Sequence, residues 1–147
     1  MKIYFCGSIR GGRDLALRYE RIIALLQTYG QVLTEHVGSD EVIQSKDRMM
    51  SDREIHDRDM EWIRESDLLI ADVTVPSLGV GYEIGRAIEM GKPVLCLYDA
   101  TTNKSLSAMI AGSEGLDVKL YRSEKEIEAI LEEFFNLYAP HRTSGSS

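Results

Sequence analysis

Asp67-Leu68-Leu69-Ile70-Ala71-Asp72-Val73 is a short apolar run, and Val94-Leu95-Cys96-Leu97-Tyr98 is a second one. Between them, residues 79–90 carry apolar side chains at helical spacing, closed by Gly91, with Lys92-Pro93 leading into the second run. This is the pattern of a strand, a crossover helix and a strand. Two strands joined by a helix of this length lie parallel, and the crossover is right-handed. The fold class follows from repeating that unit along the chain.

Working backwards, residues 51–65 read as a helix and residues 38–50 as a polar loop with a short helical turn. Residues 32–37 read as a strand. Residues 15–29 form a helix, with apolar positions at Leu15, Tyr19, Ile22, Ile23, Leu25 and Leu26 and Gly30 as its stop. Lys2-Ile3-Tyr4-Phe5-Cys6 is the opening strand, ending at Gly7. Working forwards, residues 105–111 suggest a short helix, 118–121 a fifth strand and 123–137 a closing helix. Ser123 and Glu126 have the spacing of a capping box. Five strands alternating with helices predict a three-layer α/β fold, its parallel sheet in the flavodoxin-like order 2-1-3-4-5. Residues 1–139 are expected to form one domain and residues 140–147, small and polar, a disordered tail.

The composition bounds the function. The chain has 147 residues, with 44% hydrophobic and 28% charged, ordinary for a globular protein. With 24 acidic against 17 basic residues the net charge is -7, which argues against a nucleic-acid polymer as partner. A single nucleotide remains compatible, because backbone N–H groups and a few hydroxyls can hold one phosphate. Cys6 and Cys96 both lie in strand-like runs and are expected to be buried free thiols. Met1 leads directly into a strand and no apolar run approaches membrane-spanning length. The expected address is the cytosol, with the nucleus left open for a eukaryotic source, and no membrane partner is expected.

Ligand sites in such sheets lie beyond the carboxyl ends of the strands, near the switch point between strands 1 and 3. After strand 1 comes Gly7-Ser8-Ile9-Arg10-Gly11-Gly12-Arg13, whose glycines allow close backbone approach just before a helix N-terminus. It lacks both the P-loop ending and the dinucleotide spacing, and a plain flexible turn is the alternative. After strand 3 comes Asp72-Val73-Thr74-Val75-Pro76-Ser77-Leu78-Gly79-Val80-Gly81-Tyr82-Glu83. Glu83 falls beside Val80 and Ala87 on the helical wheel, at the edge of the buried stripe. A helix dipole alone would favour a carboxylate near this end, yet it explains an exposed Glu better than one flanking apolar positions.

On the helix over 51–65, Ile55, Asp59 and Trp62 share one face, with Ile63 adjoining, so Asp59 interrupts an apolar stripe. A buried carboxylate is costly unless paired or functional, and a structural Arg partner or backbone cap is the alternative. Two carboxylates converging on a crevice suit glycosidic chemistry. One attacks or stabilises the anomeric carbon, and the other handles a proton at the leaving group. Tyr4, Ser8 and Ser77 supply hydroxyls near the same edge, and His36 could contact a base or have no task. No His, Cys and carboxylate set shows metal-ligand spacing, so neither a metal nor another cofactor is expected.

Several segments together resemble the 2'-deoxynucleoside 5'-phosphate N-hydrolases of the nucleoside 2-deoxyribosyltransferase superfamily. They are Tyr4-Phe5-Cys6-Gly7-Ser8-Ile9-Arg10-Gly11-Gly12, Val32-Leu33-Thr34-Glu35-His36-Val37, Ile55-His56-Asp57-Arg58-Asp59, Pro76-Ser77-Leu78-Gly79-Val80-Gly81-Tyr82-Glu83-Ile84-Gly85-Arg86-Ala87 and Leu106-Ser107-Ala108-Met109-Ile110. The resemblance implies Glu83 as nucleophile, Asp59 as its paired acid and Tyr4 as the strand-1 tyrosine. It also implies a nucleotide pocket of Ser8, Ile9, Arg10, Gly12, His36, Ser77, Gly79 and Gly81. Ser107 matches a serine that reaches the phosphate from a neighbouring subunit, so a homodimer is implied. Transferases acting on free nucleosides resemble Pro-Asp-x-Gly-Thr at the turn where this chain has Ser77. An Asp there would repel a 5'-phosphate by a few kcal/mol, whereas a serine donates to it. Residues 38–50 have no firm counterpart.

The expected reaction is hydrolysis of a 2'-deoxynucleoside 5'-monophosphate to free base and 2-deoxyribose 5-phosphate. A 2-deoxyribosyltransferase and a CMP-type ribonucleotide N-hydrolase are the enzymatic alternatives. A non-catalytic nucleotide sensor is the alternative of another class, disfavoured by carboxylates beside an anionic ligand.

Overall fold

A computed structural model describes residues 1–34 and 49–138. Each strand is followed by a helix: β1 (Lys2–Gly7), α1 (Gly12–Gln27), β2 (Gln31–Val32), α2 (Asp52–Glu65), β3 (Leu68–Asp72), α3 (Leu78–Glu89), β4 (Val94–Asp99), α4 (Ala108–Ala111), β5 (Asp117–Tyr121) and α5 (Glu124–Tyr138). The sheet runs β2-β1-β3-β4-β5 with every pair parallel, the order expected from the sequence. His36, residues 35–37 of the expected second strand, residues 38–48 of the loop and the tail over 140–147 lie outside the described residues.

Every residue of β3 and β4 is buried, which explains their unbroken apolar runs. Alternate strand residues feed two cores. On one face Ile3, Phe5, Ile70 and Leu97 pack with Tyr19, Ile22 and Leu26 of α1 and Leu131 and Phe135 of α5. On the other, Tyr4, Cys6, Leu69, Ala71 and Cys96 pack with Met60 and Ile63 of α2 and Val80, Ile84 and Ala87 of α3. Full burial of one such aliphatic side chain contributes about 1.5–3 kcal/mol. The three-layer arrangement is therefore as expected, and it puts α2 and α3 together on one face.

Most boundaries fall within a residue of the sequence reading, and the larger differences have local reasons. Strand 2 pairs only over Gln31–Val32, with Leu33 and Thr34 in a turn. There the Thr34 hydroxyl takes over the ladder, accepting from Phe5 N at 2.9 Å and donating to Phe5 O at 2.6 Å. Helix α1 starts earlier, because its first turn is polar and exposed and so carries no periodic signal. It also ends earlier, at Gln27, where the Thr28 hydroxyl donates back to Leu25 O at 2.6 Å. Gly30 is not the left-handed stop expected: a Cβ there would lie 2.4 Å from the Met1 carbonyl oxygen, so close approach requires the glycine. Helix α4 covers Ala108–Ala111 alone, because the Ser107 hydroxyl takes the Met109 N–H and caps it there.

The crossover helix that decided the fold has both ends signed. Ser77 is the N-cap of α3, its hydroxyl accepting from Val80 N at 3.3 Å. At the other end Gly91 has φ 76°, Gly91 N donates to Ile88 O and Lys92 N to Ala87 O, which is a Schellman motif. Helix α2 starts in a full capping box between Ser51 and Glu54.

Candidate active site

Tyr4 is central in β1 and points into the α2–α3 core with 1% of its surface exposed. Its hydroxyl donates a hydrogen bond to Glu83 Oε2. Glu83 lies in the second turn of α3, between Val80 and Ala87 of the buried stripe, so its carboxyl is brought over the sheet edge rather than into solvent. Among the described residues it accepts that one hydrogen bond only. Burial pushes the Glu83 carboxyl up to about 7, with the Asp59 charge adding to the push; the Tyr4 hydrogen bond and then Arg58 oppose it. The Tyr4 phenol is held protonated, raised well above its ordinary range by burial and then by the facing Glu83 charge.

Asp59 comes from α2 and is 24% exposed in its side chain. The deepest positions of that helix are Met60 and Ile63, so Asp59 stands on the flank of the buried face rather than in its centre. Arg58 pairs with it, Nε and Nη2 each 3.0 Å from Oδ1. The structural arginine partner weighed against function is thus present, and it belongs to the same crevice. Sequence reasoning gave Arg58 no role. Its signal was the spacing to Trp62 one turn on: the guanidinium lies 4.8 Å from that ring's centroid, which holds it in place.

The other expected site residues divide into two groups. Ser8 is buried just past β1, its hydroxyl accepting from Arg10 N at 3.2 Å, while Ile9 and Arg10 are exposed. Gly12, at φ 85°, turns the chain into α1. Ser77, Gly79 and Gly81 form the start of α3, and a Cβ on Gly79 would lie 3.9 Å from Ser77 Oγ and 4.0 Å from Glu83 Oε1. Hydroxyl, open backbone and carboxylate therefore stand within one side chain's reach of each other. Ser107 is elsewhere. It lines a groove of about 680 Å³ on the other flank of α3, together with Ser77, Val80, Ile84, Met109 and Ile110, and that lining includes neither Tyr4, Asp59 nor Glu83. This groove is mostly apolar and is not where the carboxylates converge.

Among the described residues no three His, Cys, Asp or Glu side chains are grouped to hold a metal, and no helix is long and apolar enough to cross a membrane.

Residues 3–137 match the nucleoside 2-deoxyribosyltransferase family. The chain belongs to that family. A 5-hydroxymethyl-dUMP N-hydrolase of Tetraodon nigroviridis is 52% identical over 139 residues, covering 92% of this chain and 98% of the relative. One of Mus musculus is 46% identical over 148 residues, covering 99% of this chain and 86% of the relative. A putative 2'-deoxynucleoside 5'-phosphate N-hydrolase of Nematostella vectensis is 53% identical, covering 91% and 93%. Among solved structures, a Clostridium botulinum CMP N-glycosidase superposes with a TM-score of 0.61 at 23% identity, covering 90% of this chain and 98% of that one. That likeness shows the shared fold. In this member of the nucleoside 2-deoxyribosyltransferase family, Tyr4, Glu83 and Asp59 stand together on the α2–α3 face of the sheet.

Proposed function

We propose that this protein hydrolyses the N-glycosidic bond of 2'-deoxynucleoside 5'-monophosphates, releasing free base and 2-deoxyribose 5-phosphate. The observation that carries the reading is a largely buried carboxylate, Glu83, with one phenolic donor and a second carboxylate, Asp59, close enough to raise its pKa. Ionised Glu83 attacks C1' as the C1'–N bond breaks, and water resolves the glycosyl ester. Tyr4 keeps one carboxylate oxygen engaged, so the other faces the sugar. Asp59, aligned by Arg58, orients the sugar or delivers the proton to the departing base. Ser77 accepts from its own helix with its oxygen and keeps its proton free to donate to a phosphate, beside the first N–H groups of α3. A hydroxyl there, where an aspartate would repel a dianion, supports a nucleotide over a nucleoside.

The curated relatives carry 5-hydroxymethyl-dUMP in their names, which makes that nucleotide the first substrate for an assay. Released base is measured over a panel of deoxy- and ribonucleotides, with and without an added free base to detect transfer. Glu83→Ala is expected to abolish release, and normal turnover by that variant would overturn the assignment.

A homodimer is part of the proposal. The apolar groove beside α3 is flanked by Leu78, 97% exposed, and Met109, 83% exposed, and Ser107 and Ser77 both line it. A second copy seated there would cover this surface and carry its Ser107 towards the phosphate end of the crevice. Sedimentation of the wild type and of Met109→Glu tests this: a dimer that becomes monomeric is expected, and a monomeric wild type would overturn it. Two buried free thiols, Cys6 and Cys96, are compatible with a cytosolic address.

A further inference from the structure

The face of the sheet away from Glu83 carries a second polar group at the same edge. Asp72, the last residue of β3, is fully buried, and both its oxygens are used. Oδ1 accepts from Thr74 N at 3.0 Å and Oδ2 from the Tyr121 hydroxyl at 2.8 Å. The Thr74 hydroxyl accepts from Asp99 N at 2.9 Å. Asp99 Oδ2 accepts from Arg18 Nη1 at 2.7 Å, and the same Nη1 donates to Tyr121 Oη at 3.1 Å. The bonds close a ring, Asp72–Thr74–Asp99–Arg18–Tyr121, drawn from β3, the turn after it, β4, α1 and β5. Thr101 fastens the Asp99 corner through its N–H and hydroxyl.

A buried carboxylate in a sheet is expensive, and an apolar residue at position 72 would continue the run of β3. What Asp72 does that an apolar residue cannot is accept from the backbone two residues on, bending the chain out of the strand. The bend begins the turn Thr74-Val75-Pro76-Ser77, and Ser77 is the N-cap of α3. Val75 packs against the core on the ring's side. By contrast α3 itself is anchored by Val80, Ile84 and Ala87 in the opposite core. The turn thus hangs from one face of the sheet while the helix it enters rests on the other.

We infer that this ring is a positioning device for the Ser77 turn, with Asp72 and Tyr121 as positioning residues that set nucleotide affinity without touching the ligand. The inference rests on the nucleotide reading of the site. Loosening the ring displaces Ser77 and the first amides of α3, while Glu83 stays seated with its helix. The expected signature is a rise in KM with kcat nearly kept.

Tyr121→Phe keeps the ring's bulk and removes both hydroxyl bonds. Thr74→Val, which removes the acceptor for Asp99 N, is the second variant should the first fold poorly. In either, KM for the deoxynucleotide is expected to rise by about tenfold, the size of one lost charge-assisted hydrogen bond, with kcat within about twofold of wild type. A merely destabilised enzyme would lose active fraction, so kcat would fall at constant KM, and that result would overturn the inference. An unchanged KM would do the same. A wild type that releases no base sinks the proposed function instead. The ring is then judged by amide NMR: Ser77, Gly79 and Gly81 are expected to shift in Tyr121→Phe while the α2 amides stay in place. Unmoved turn amides would overturn it.

Discussion

The two faces of the sheet treat buried carboxylates in opposite ways within a few residues of the same edge. On the α1–α5 face, Asp72 and Asp99 have every oxygen engaged by the ring and by Thr101. On the α2–α3 face, Glu83 has a single donor among the described residues and a second carboxylate for company. A carboxylate with both oxygens hydrogen-bonded to other elements is a fastener, because its bonds tie those elements together. An underbonded one is a reagent, held at a free-energy cost that the rest of the fold offsets. The difference separates holding the site from performing its chemistry.

The largest expected effect breaks the reagent side. Glu83→Gln keeps the shape and is expected to lower base release by about a thousandfold or more, measured under single-turnover conditions. The same variant should gain stability at high pH. The folded pKa is raised, so between about 4.5 and about 7 the native state binds more protons than the unfolded chain, and wild-type stability falls as pH rises through that window. Chemical denaturation at pH 8 should therefore show Glu83→Gln more stable by about 3 kcal/mol at most, with the gain gone below about pH 4.5. A wild-type activity limb rising with pH through about 7 should accompany it.

Breaking the fastener side comes next. Asp72→Ala leaves the Thr74 N–H and the Tyr121 hydroxyl without their buried acceptor and is expected to cost about 2–4 kcal/mol in urea unfolding. Tyr4→Phe is smaller in stability and visible in pH. It removes the bond that opposes the rise in the Glu83 pKa, so the activity limb should move to higher pH. Least of all should be Tyr19→Phe. The Tyr19 hydroxyl is buried with no hydrogen-bond partner among the described residues, so its removal is expected to change stability by less than about 0.5 kcal/mol. That near-silence beside the raised KM of Tyr121→Phe would sharpen the point that hydrogen bonding, not the mere presence of a buried phenol, holds the edge.

The reagent side was legible in the sequence and the fastener side was not, for a physical reason. Glu83 and Asp59 each break a helical apolar stripe, and periodicity registers such a break locally. Its depth reading was coarser: Ile63 of the expected face is buried, but Ile55 and Trp62 are only partly so, and Met60 is buried like Ile63. Unbroken apolar runs marked β3 and β4 because both of their faces are covered. Strand 2 misled because Thr34 substitutes a side-chain bond for a ladder bond, and composition does not distinguish the two. Arg18, Asp72, Thr74, Asp99 and Tyr121 come from separate elements, and only the closed sheet brings them together. Asp72 alone left a trace, as an acid ending an apolar run.

Cys6 and Cys96 face the same core from β1 and β4, aligned on either side of Ala71 of β3. Two strand spacings, roughly 9–10 Å, separate them, beyond the reach of a disulfide. Oxidants therefore have no staple to close inside this sheet. Burial also pushes the Cys96 thiol up to about 12 and Cys6 well above its ordinary range, which quenches both as nucleophiles in the closed molecule. A thiol reagent then reacts only when the core breathes, so its labelling rate clocks how often the α2–α3 side opens. A ligand seated over Tyr4 and Glu83 should slow that clock, giving a measure of occupancy that needs no catalysis.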